Sequence, residues 1–151
     1  MAVQPPVRCY ATAMRKASRR LTQLYDDALA PSGLRSTQFA ILAELVPRAK
    51  SPPTLQELAD ALVLDRSSLG HNLKPLERDG LVAQQTSLAD RRRRLIMATA
   101  EGEKAFHDAR ILWRQAQERF LKTFGEDAAG ELCKALLSIA YDERLVLTEE
   151  R

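Results

Sequence analysis

Polar and basic side chains recur at helical spacing between residues 65 and 79. If Leu69, Leu73 and Leu76 form the buried stripe of a helix, a turn of about 100° per residue places other side chains on the opposite face. The side chains on that face are Ser67, His71, Lys74 and Arg78. Such groups suit base edges and phosphates in a major groove, whereas a solvated face more often mixes glutamate with lysine. The pattern favours a DNA-contacting helix, and ordinary surface residues are the alternative.

Neighbouring polar residues extend this predicted contact surface. The helical residues predicted to contact DNA are Arg66, Ser67, Ser68, His71, Asn72 and Lys74. Two residues within the same segment are unfavourable in helices, because glycine costs about 1 kcal/mol and interior proline about 3 kcal/mol. Pro75 leaves the carbonyl of His71 without its usual partner, so a local kink is expected. Gly70 could let the backbone approach DNA, or it could be a tolerated packing irregularity.

An unbroken arginine run follows Asp90 and predicts a second contact with nucleic acid. Asp90 can accept hydrogen bonds from turn amides or from an arginine, which would hold the tip of a hairpin rigid. Because side chains alternate along a strand, Arg92 is expected to point the same way as Asp90 and to enter a narrow minor groove. The other arginines, Arg91, Arg93 and Arg94, are expected to contact phosphates, so affinity should fall steeply with salt.

Capping signals define the helices that carry these residues. Thr54 and Glu57 form a capping box that starts a third helix, which continues through Leu62. Asp65 is placed to cap a fourth helix, and Gly80 supplies the left-handed residue that ends it. Two short helices joined by a tight turn are the layout of a helix-turn-helix.

Helices and a hairpin surround this pair. A first amphipathic helix begins at Pro5, Pro6 and Val7 and stops at Pro31 with Gly33, and a second has Ser36 as its N-cap and Pro47 as its terminator. Residues 81–85 and 93–98 are predicted to pair as a two-stranded wing. Thr99 caps a long helix that reaches Gly125, and a last helix carries Leu132, Leu136, Ile139 and Ala140. The predicted fold is mainly α, a winged helix-turn-helix with N- and C-terminal helices that form a dimerisation domain.

Composition limits the function classes. The 151 residues suit one domain, and the net charge of +3 is unevenly spread, with basic residues in the N-terminal segment and at 91–94 and acidic residues in the C-terminal tail. No apolar run approaches the roughly 20 residues of a membrane span and no signal peptide is evident, so a cytoplasmic location is expected. Cys9 and Cys133 lie far apart without metal-ligand spacing. No metal, cofactor or enzymatic activity is predicted, because neither a phosphate-binding glycine loop nor a nucleophile beside a base is evident.

Five motifs occur along the chain: Leu58-Ala59, Leu64-Asp65-Arg66-Ser67, Leu76-Glu77-Arg78-Asp79-Gly80-Leu81-Val82, Asp90-Arg91-Arg92 and Thr99-Ala100-Glu101-Gly102. Together they resemble the MarR family of regulators, and the resemblance extends across nearly the whole chain. The resemblance implies one domain over 1–151, with a DNA-binding part at 36–98 and dimerisation helices at 6–30 and 100–145. It further implies a triangular homodimer, a recognition helix over residues 66–79, Arg92 in the minor groove, a palindromic operator and repression as the commoner mode. The sequence departs from the family pattern at Gly70 and Pro75 in the recognition helix. It also departs at Ala100, a position where the family commonly has proline.

Surplus apolar surface on the long terminal helices independently predicts a dimer. The family resemblance also implies that a small aromatic or phenolic effector releases DNA from many members. The residues that could line its pocket are Tyr10, Met14, Phe39 and Trp113, although core packing explains them as well. Other members sense peroxides through a cysteine on the first helix, where Cys9 falls beside Arg8, which could lower its pKa. Cys133 is expected in the core.

A winged-helix module that docks proteins is the remaining alternative. Its recognition face should carry apolar anchors, and its wing should not be rich in arginine. Neither condition holds in this sequence. Regulation by DNA binding is therefore the preferred interpretation, with thiol-based redox sensing through Cys9 as an alternative means of control.

Overall fold

A computed structural model describes residues 8–147, and this part folds into helices around one antiparallel hairpin. In chain order the elements are α1 (Tyr10–Leu29), α2 (Ser36–Leu45), α3 (Leu55–Leu62), α4 (Arg66–Arg78), β1 (Val82–Thr86), β2 (Arg94–Ala98), α5 (Ala100–Phe124) and α6 (Glu126–Ala140). Short 3₁₀ turns follow α1, α2 and α6. Pro5, Pro6 and Val7, where the first helix was predicted to begin, lie outside the described residues, and the helix itself begins later, at Tyr10, after Cys9 in extended backbone. The mainly helical winged fold predicted from the sequence is confirmed.

Three of the predicted N-caps are confirmed. The Thr54 hydroxyl accepts from the Glu57 amide at 3.2 Å, while the Glu57 carboxylate accepts from the Thr54 amide at 2.8 Å. Asp65 accepts from the Ser68 amide at 2.7 Å, and Thr99 accepts from the Gly102 amide at 3.0 Å. These bonds satisfy amides that the first turn of a helix leaves without partners.

The predicted cap at Ser36 was wrong. Ser36 is the first residue of α2, and Arg35 occupies the cap position without a side-chain cap. The Ser36 amide instead donates to a carboxylate oxygen of Asp26 on α1 at 2.7 Å, and the Arg35 amide donates to Gln38 at 3.0 Å. The Asp26 carboxylate of another helix and the local Gln38 side chain therefore satisfy the amides at the start of α2.

The wing differs from the prediction by one residue at three of its four strand ends. Its register runs from Val82 opposite Ala98 to Thr86 opposite Arg94. The Leu81 amide closes α4 by donating to the Leu76 carbonyl at 2.8 Å, and the Arg93 amide donates to the Asp90 carbonyl at 3.0 Å. Both amides are occupied in turns, so the strands begin one residue later than the hydropathy pattern suggests.

The core lies between α2, α3, α4 and the inner face of the wing, with the end of α1 and part of α5 packed against them. Its fully buried large side chains are Leu29, Ile41, Leu42, Leu45, Leu58, Leu69, Leu73, Leu76 and Ile96. Phe39 of α2 adds an aromatic cluster with α5, because its ring centroid lies 5.1 Å from that of Phe106 and 5.9 Å from that of Trp113. The cluster joins the winged part to the long helix.

Three backbone features fix the geometry around the helix pair. Gly80 takes φ +73° where α4 ends, as predicted. Val63 takes φ +53° in the turn between α3 and α4, a conformation that is strained for a β-branched residue. At the start of α5, Gly102 packs against the backbone of Leu81, which leaves no room for a side chain.

The end of the last helix contacts the winged part. The Tyr141 hydroxyl donates to the carbonyl of Ala61 in α3 at 2.6 Å, across 80 residues of sequence. This bond satisfies a carbonyl at the C-terminal end of α3. Among the helices within residues 8–147, none combines the length and apolar character needed to cross a membrane.

Candidate nucleic-acid interface

Helix α4 presents its polar face to solvent. Leu69, Leu73 and Leu76 are buried, which anchors one side of the helix to the core. The side chains on the opposite face, Ser67, His71, Lys74 and Arg78, are all exposed. Asp65 fixes the start of the helix and Arg78 lies in its last turn. The geometry that the sequence predicted for this face is present, and the DNA contacts themselves stay a prediction.

Two of the predicted contact residues are engaged within the helix. The Ser68 hydroxyl donates to Asp65 at 2.8 Å, and the Asn72 amide donates to the Ser68 carbonyl at 2.9 Å. Both side chains are half-buried, whereas Arg66 is exposed. Ser68 and Asn72 brace the first turns of α4 on the flank between the exposed face and the buried leucines. Helix α4 includes Pro75 and extends to Arg78.

Asp90 organises the tip of the wing. One carboxylate oxygen accepts from the Arg92 amide at 3.0 Å, and the other lies 3.7 Å from the Arg93 guanidinium. The aspartate therefore holds both a turn amide and an arginine. Arg92 lies in the turn before β2, so the predicted alternation of side chains along a strand does not apply to it. Turn geometry, rather than strand pleating, orients Arg92.

The remaining arginines of the wing are exposed to solvent. Arg91, Arg92 and Arg94 have no carboxylate within 4.0 Å among residues 8–147. Because their charges are not neutralised by nearby carboxylates in that part of the chain, they create a positive potential that attracts phosphates. Arg93 differs from them, since Asp90 partly compensates its charge.

A basic cleft of about 500 Å³ joins the start of α3 to the wing. The residues that line it are Thr54, Leu55, Gln56, Glu57, Arg66, Arg92, Arg93 and Arg94. Hydrogen bonding from the Thr54 amide lowers the pKa of Glu57, with smaller contributions from Thr54's hydroxyl and from Arg93 and Arg48, so this carboxylate stays ionised. Four guanidinium groups beside one carboxylate give the cleft a net positive charge that suits an anion such as a phosphate.

Sequence reasoning did not predict this cleft. It forms because the loop before α3 pairs with strand β2 of the wing. Thr54 forms an isolated antiparallel β-bridge with Leu95, and the Ile96 amide donates to the Pro53 carbonyl at 2.9 Å. A second connection was also missed, since the Gln84 side chain of β1 donates to the Glu77 carboxylate of α4. No local sequence signal identifies either contact, because both join segments that turns bring together.

The four predicted effector residues are not all brought together. Phe39 and Trp113 lie in the aromatic cluster, and Met14 is half-buried on α1. Tyr10 stands at the start of α1 with 78% of its surface exposed. Core packing therefore accounts for Phe39 directly. Among residues 8–147, no group of three potential ligands is placed to hold a metal ion.

The surroundings of both cysteines differ from those that the sequence suggested. Cys9 is exposed at the residue before α1, where its sulfur accepts a hydrogen bond from the Thr12 hydroxyl at 3.2 Å. The contacts with Thr12 lower the pKa of the Cys9 thiol, with smaller contributions from the Ala11 backbone and from Arg15, so the causes differ from the influence of Arg8 that the sequence suggested. Cys133 is exposed on α6, which contradicts its expected place in the core, because it lies on a side of α6 that the described chain leaves uncovered.

The sequence is similar to those of known transcriptional regulators. Residues 32–93 match the sequence profile of the MarR family. The transcriptional regulator HosA of Escherichia coli O157:H7 is 30% identical over 117 residues, covering 73% of this chain and 84% of HosA.

Two structures solved with DNA are similar as well. The transcriptional regulator MosR of M. tuberculosis, in complex with DNA, is 35% identical with a TM-score of 0.78, over 92% of this chain and 100% of that one. The repressor CouR, bound to a 23-mer DNA duplex, is 26% identical with a TM-score of 0.78, over 87% of this chain and 92% of that one. The winged fold, the capped helix pair and these similarities lead to one conclusion: the chain belongs to the MarR family of transcriptional regulators.

Proposed function

We propose that this protein binds an operator in duplex DNA as a homodimer, with α4 in the major groove and the wing over the adjacent minor groove. The observation that carries the proposal is the exposed face of α4, where Ser67, His71 and Lys74 stand opposite three buried leucines. A helix in the major groove reads bases with such donors and acceptors. The DNA complexes of MosR and CouR support this docking.

The wing supplies the electrostatic part of binding. Asp90 orders the turn through the Arg92 amide, which leaves the Arg92 guanidinium exposed for a narrow, negative minor groove. Arg66 and Arg94 line the basic cleft, where a backbone phosphate would meet guanidinium groups from α4 and β2 together. Each phosphate neutralised in this way releases counterions, which makes affinity dependent on salt.

A second copy of the chain is the partner that the apolar surface requires. The large apolar side chains left exposed on α5, α6 and the residues after it are Ile111, Phe124, Leu136, Leu137, Ile139, Tyr141, Leu145, Val146 and Leu147. Monomeric proteins seldom expose large apolar patches, and nine such side chains on two consecutive helices and the residues after them favour a partner. In a two-fold dimer the same surface is buried on both copies, and the two α4 helices then read half-sites related by the same symmetry.

Fluorescence anisotropy with the DNA flanking the protein's own gene tests the proposal. We expect tight binding whose logarithm falls linearly with the logarithm of salt concentration, and Arg92→Ala should weaken it about tenfold. Arg110→Ala on α5 is the matched control, because it removes one exposed arginine outside the winged part and should leave affinity unchanged. Absence of binding to flanking and random duplexes at low salt would instead support a protein-docking module.

Repression with release by a small aromatic or phenolic effector is the mode of action that we propose next. The Phe39, Phe106 and Trp113 cluster supports it, because it joins α2 of the winged part to α5. A ligand that repacked those rings would move the two parts relative to each other. Trp113 is the single tryptophan of the chain, so its fluorescence reports directly on the cluster.

The effector proposal is tested by titrating small phenolic acids into the free protein and into the operator complex. A saturable change in Trp113 emission at concentrations that also release DNA would support it. Release without any change in emission would place the effector elsewhere. If no phenolic acid releases DNA, oxidation at Cys9 becomes the preferred means of control, favoured by its exposure and by the Thr12 hydrogen bond.

A further inference from the structure

Helix α4 contains a glycine whose place on the helix is informative. Gly70 lies four residues after Arg66 and four residues before Lys74, so the three residues share one stripe along α4. At a rise of about 1.5 Å per residue, the Cα atom of Gly70 lies about 6 Å along the helix axis from the Cα atoms of Arg66 and Lys74. The stripe therefore presents a cation, a stretch of bare backbone and a second cation. Its first residue, Arg66, also lines the basic cleft.

The fold itself does not require glycine at this position. A Cβ built on Gly70 meets no atom within 4 Å among the described residues, in contrast to Gly102, where it would lie 1.9 Å from the Leu81 carbonyl oxygen. Gly70 also has ordinary helical backbone geometry, unlike the glycines with positive φ such as Gly80. The alternative of a packing irregularity therefore has no contact to support it. Alanine would give a more stable helix at this site.

We infer that the missing side chain at Gly70 makes room for bound DNA: the sugar–phosphate backbone of one strand passes closest to α4 at Gly70, between phosphates held by Arg66 and Lys74. The inference rests on the proposed function. Glycine is the residue that permits the closest approach of a backbone to a ligand. A methyl group at this point would push the strand away from both cations and from the recognition face. Gly70 is thus a positioning residue for the depth of α4 in the groove.

This role predicts effects of opposite sign on stability and binding. Gly70→Ala should raise the melting temperature by about 2–4 °C, because alanine favours the helix. The same change should weaken operator binding at least about tenfold. Gly70→Leu, with a larger side chain, should weaken binding further. Misfolding cannot produce this combination, since a misfolded variant would lose stability and affinity together.

The experiment measures thermal unfolding and operator anisotropy for the wild type, Gly70→Ala and Gly70→Leu at one salt concentration. Equal affinity of wild type and Gly70→Ala for the operator would overturn the inference while leaving the proposed function intact. A lower melting temperature for Gly70→Ala would overturn it too, because it would reveal a packing requirement. A wild-type protein that binds no duplex would refute the proposed function itself, a result that the variants are not needed to recognise.

Discussion

The backbone of Gly102 faces the Leu81 carbonyl so closely that a Cβ atom would lie 1.9 Å from the oxygen. The same oxygen accepts from the Thr99 amide at 3.0 Å, and the Thr99 hydroxyl donates to the Gly80 carbonyl at 2.6 Å. The neighbour of Gly102 is thus backbone that two hydrogen bonds hold in place, rather than a side chain able to turn away. This junction sets where the long helix leaves the wing.

Gly102→Ala is expected to destabilise the protein by about 1–3 kcal/mol, because the junction must open to admit the methyl group. Urea unfolding followed by circular dichroism measures the change. Gly130→Ala is the matched control, since Gly130 also lies inside a helix but has no atom within 4 Å of its Cβ position in the described chain. It should keep or raise stability. Equal effects of the two substitutions would contradict the close contact at Gly102.

Asp90→Ala is expected to weaken operator binding about fivefold, the equivalent of one lost hydrogen bond of about 1 kcal/mol in the wing. Charge alone predicts the reverse, because removing a carboxylate near phosphates should tighten binding. Asp90→Asn separates the two effects, since it removes the charge and keeps an oxygen that can accept from the Arg92 amide. Anisotropy should show weaker binding for alanine alone. Tighter binding for both variants would show that Asp90 does not order the wing.

Val63→Gly is expected to stabilise the protein by about 0.5–1 kcal/mol. A left-handed conformation costs a residue with a side chain roughly 1–2 kcal/mol, and the greater chain entropy of glycine offsets part of the gain. Because Val63 is 56% exposed, little packing is lost. Val63→Ala, which keeps a Cβ, should bring no such gain. The midpoint of urea unfolding at unchanged slope provides the measurement, and equal midpoints for glycine and alanine would rule out strain at this turn.

Cys9 is expected to react as a thiolate at a lower pH than an ordinary cysteine. The Thr12 hydrogen bonds lower the pKa of the thiol, so at any pH below the ordinary value of about 8.5 more of it is ionised. Iodoacetamide alkylation rates, followed against pH in a Cys133→Ser background, should give a midpoint below that value. Thr12→Val removes the hydroxyl and should raise the midpoint. A midpoint that Thr12→Val leaves unchanged would remove the physical basis for sensing at Cys9.

Local signals predicted the parts of the fold that local chemistry determines. Thr54, Asp65 and Thr99 cap their helices through bonds to residues three positions away, so the sequence alone contains both partners. The cap at Ser36 failed because its amide finds Asp26, ten residues earlier on another helix. The buried leucines of α4 were predicted because helical periodicity marks a face irrespective of what covers it.

The site was predicted less completely than the fold. Helical spacing identified the exposed face of α4, and the arginine run identified the wing. The cleft that unites Arg66 with the wing arginines depends on the pairing of Thr54 with Leu95, which neither sequence segment encodes by itself. The exposure of Cys133 was missed for a related reason, because amphipathic spacing shows that a face is apolar but not whether the same chain buries it.

The hydrogen bond from Tyr141 to the Ala61 carbonyl links the end of α6 to the end of α3. On one side of this link lies α6, whose exposed apolar side chains belong to the surface proposed for the dimer. On the other side lies α3, which the short turn at Val63 joins to α4. In the proposed dimer, a rotation of one α6 against the α6 of the partner would be transmitted through this hydrogen bond and α3 to α4. The distance between the two α4 helices would therefore depend on how rigidly α6 and α3 are linked. The half-site spacing that the dimer accepts, about 34–36 Å for one turn of DNA, would reflect that rigidity.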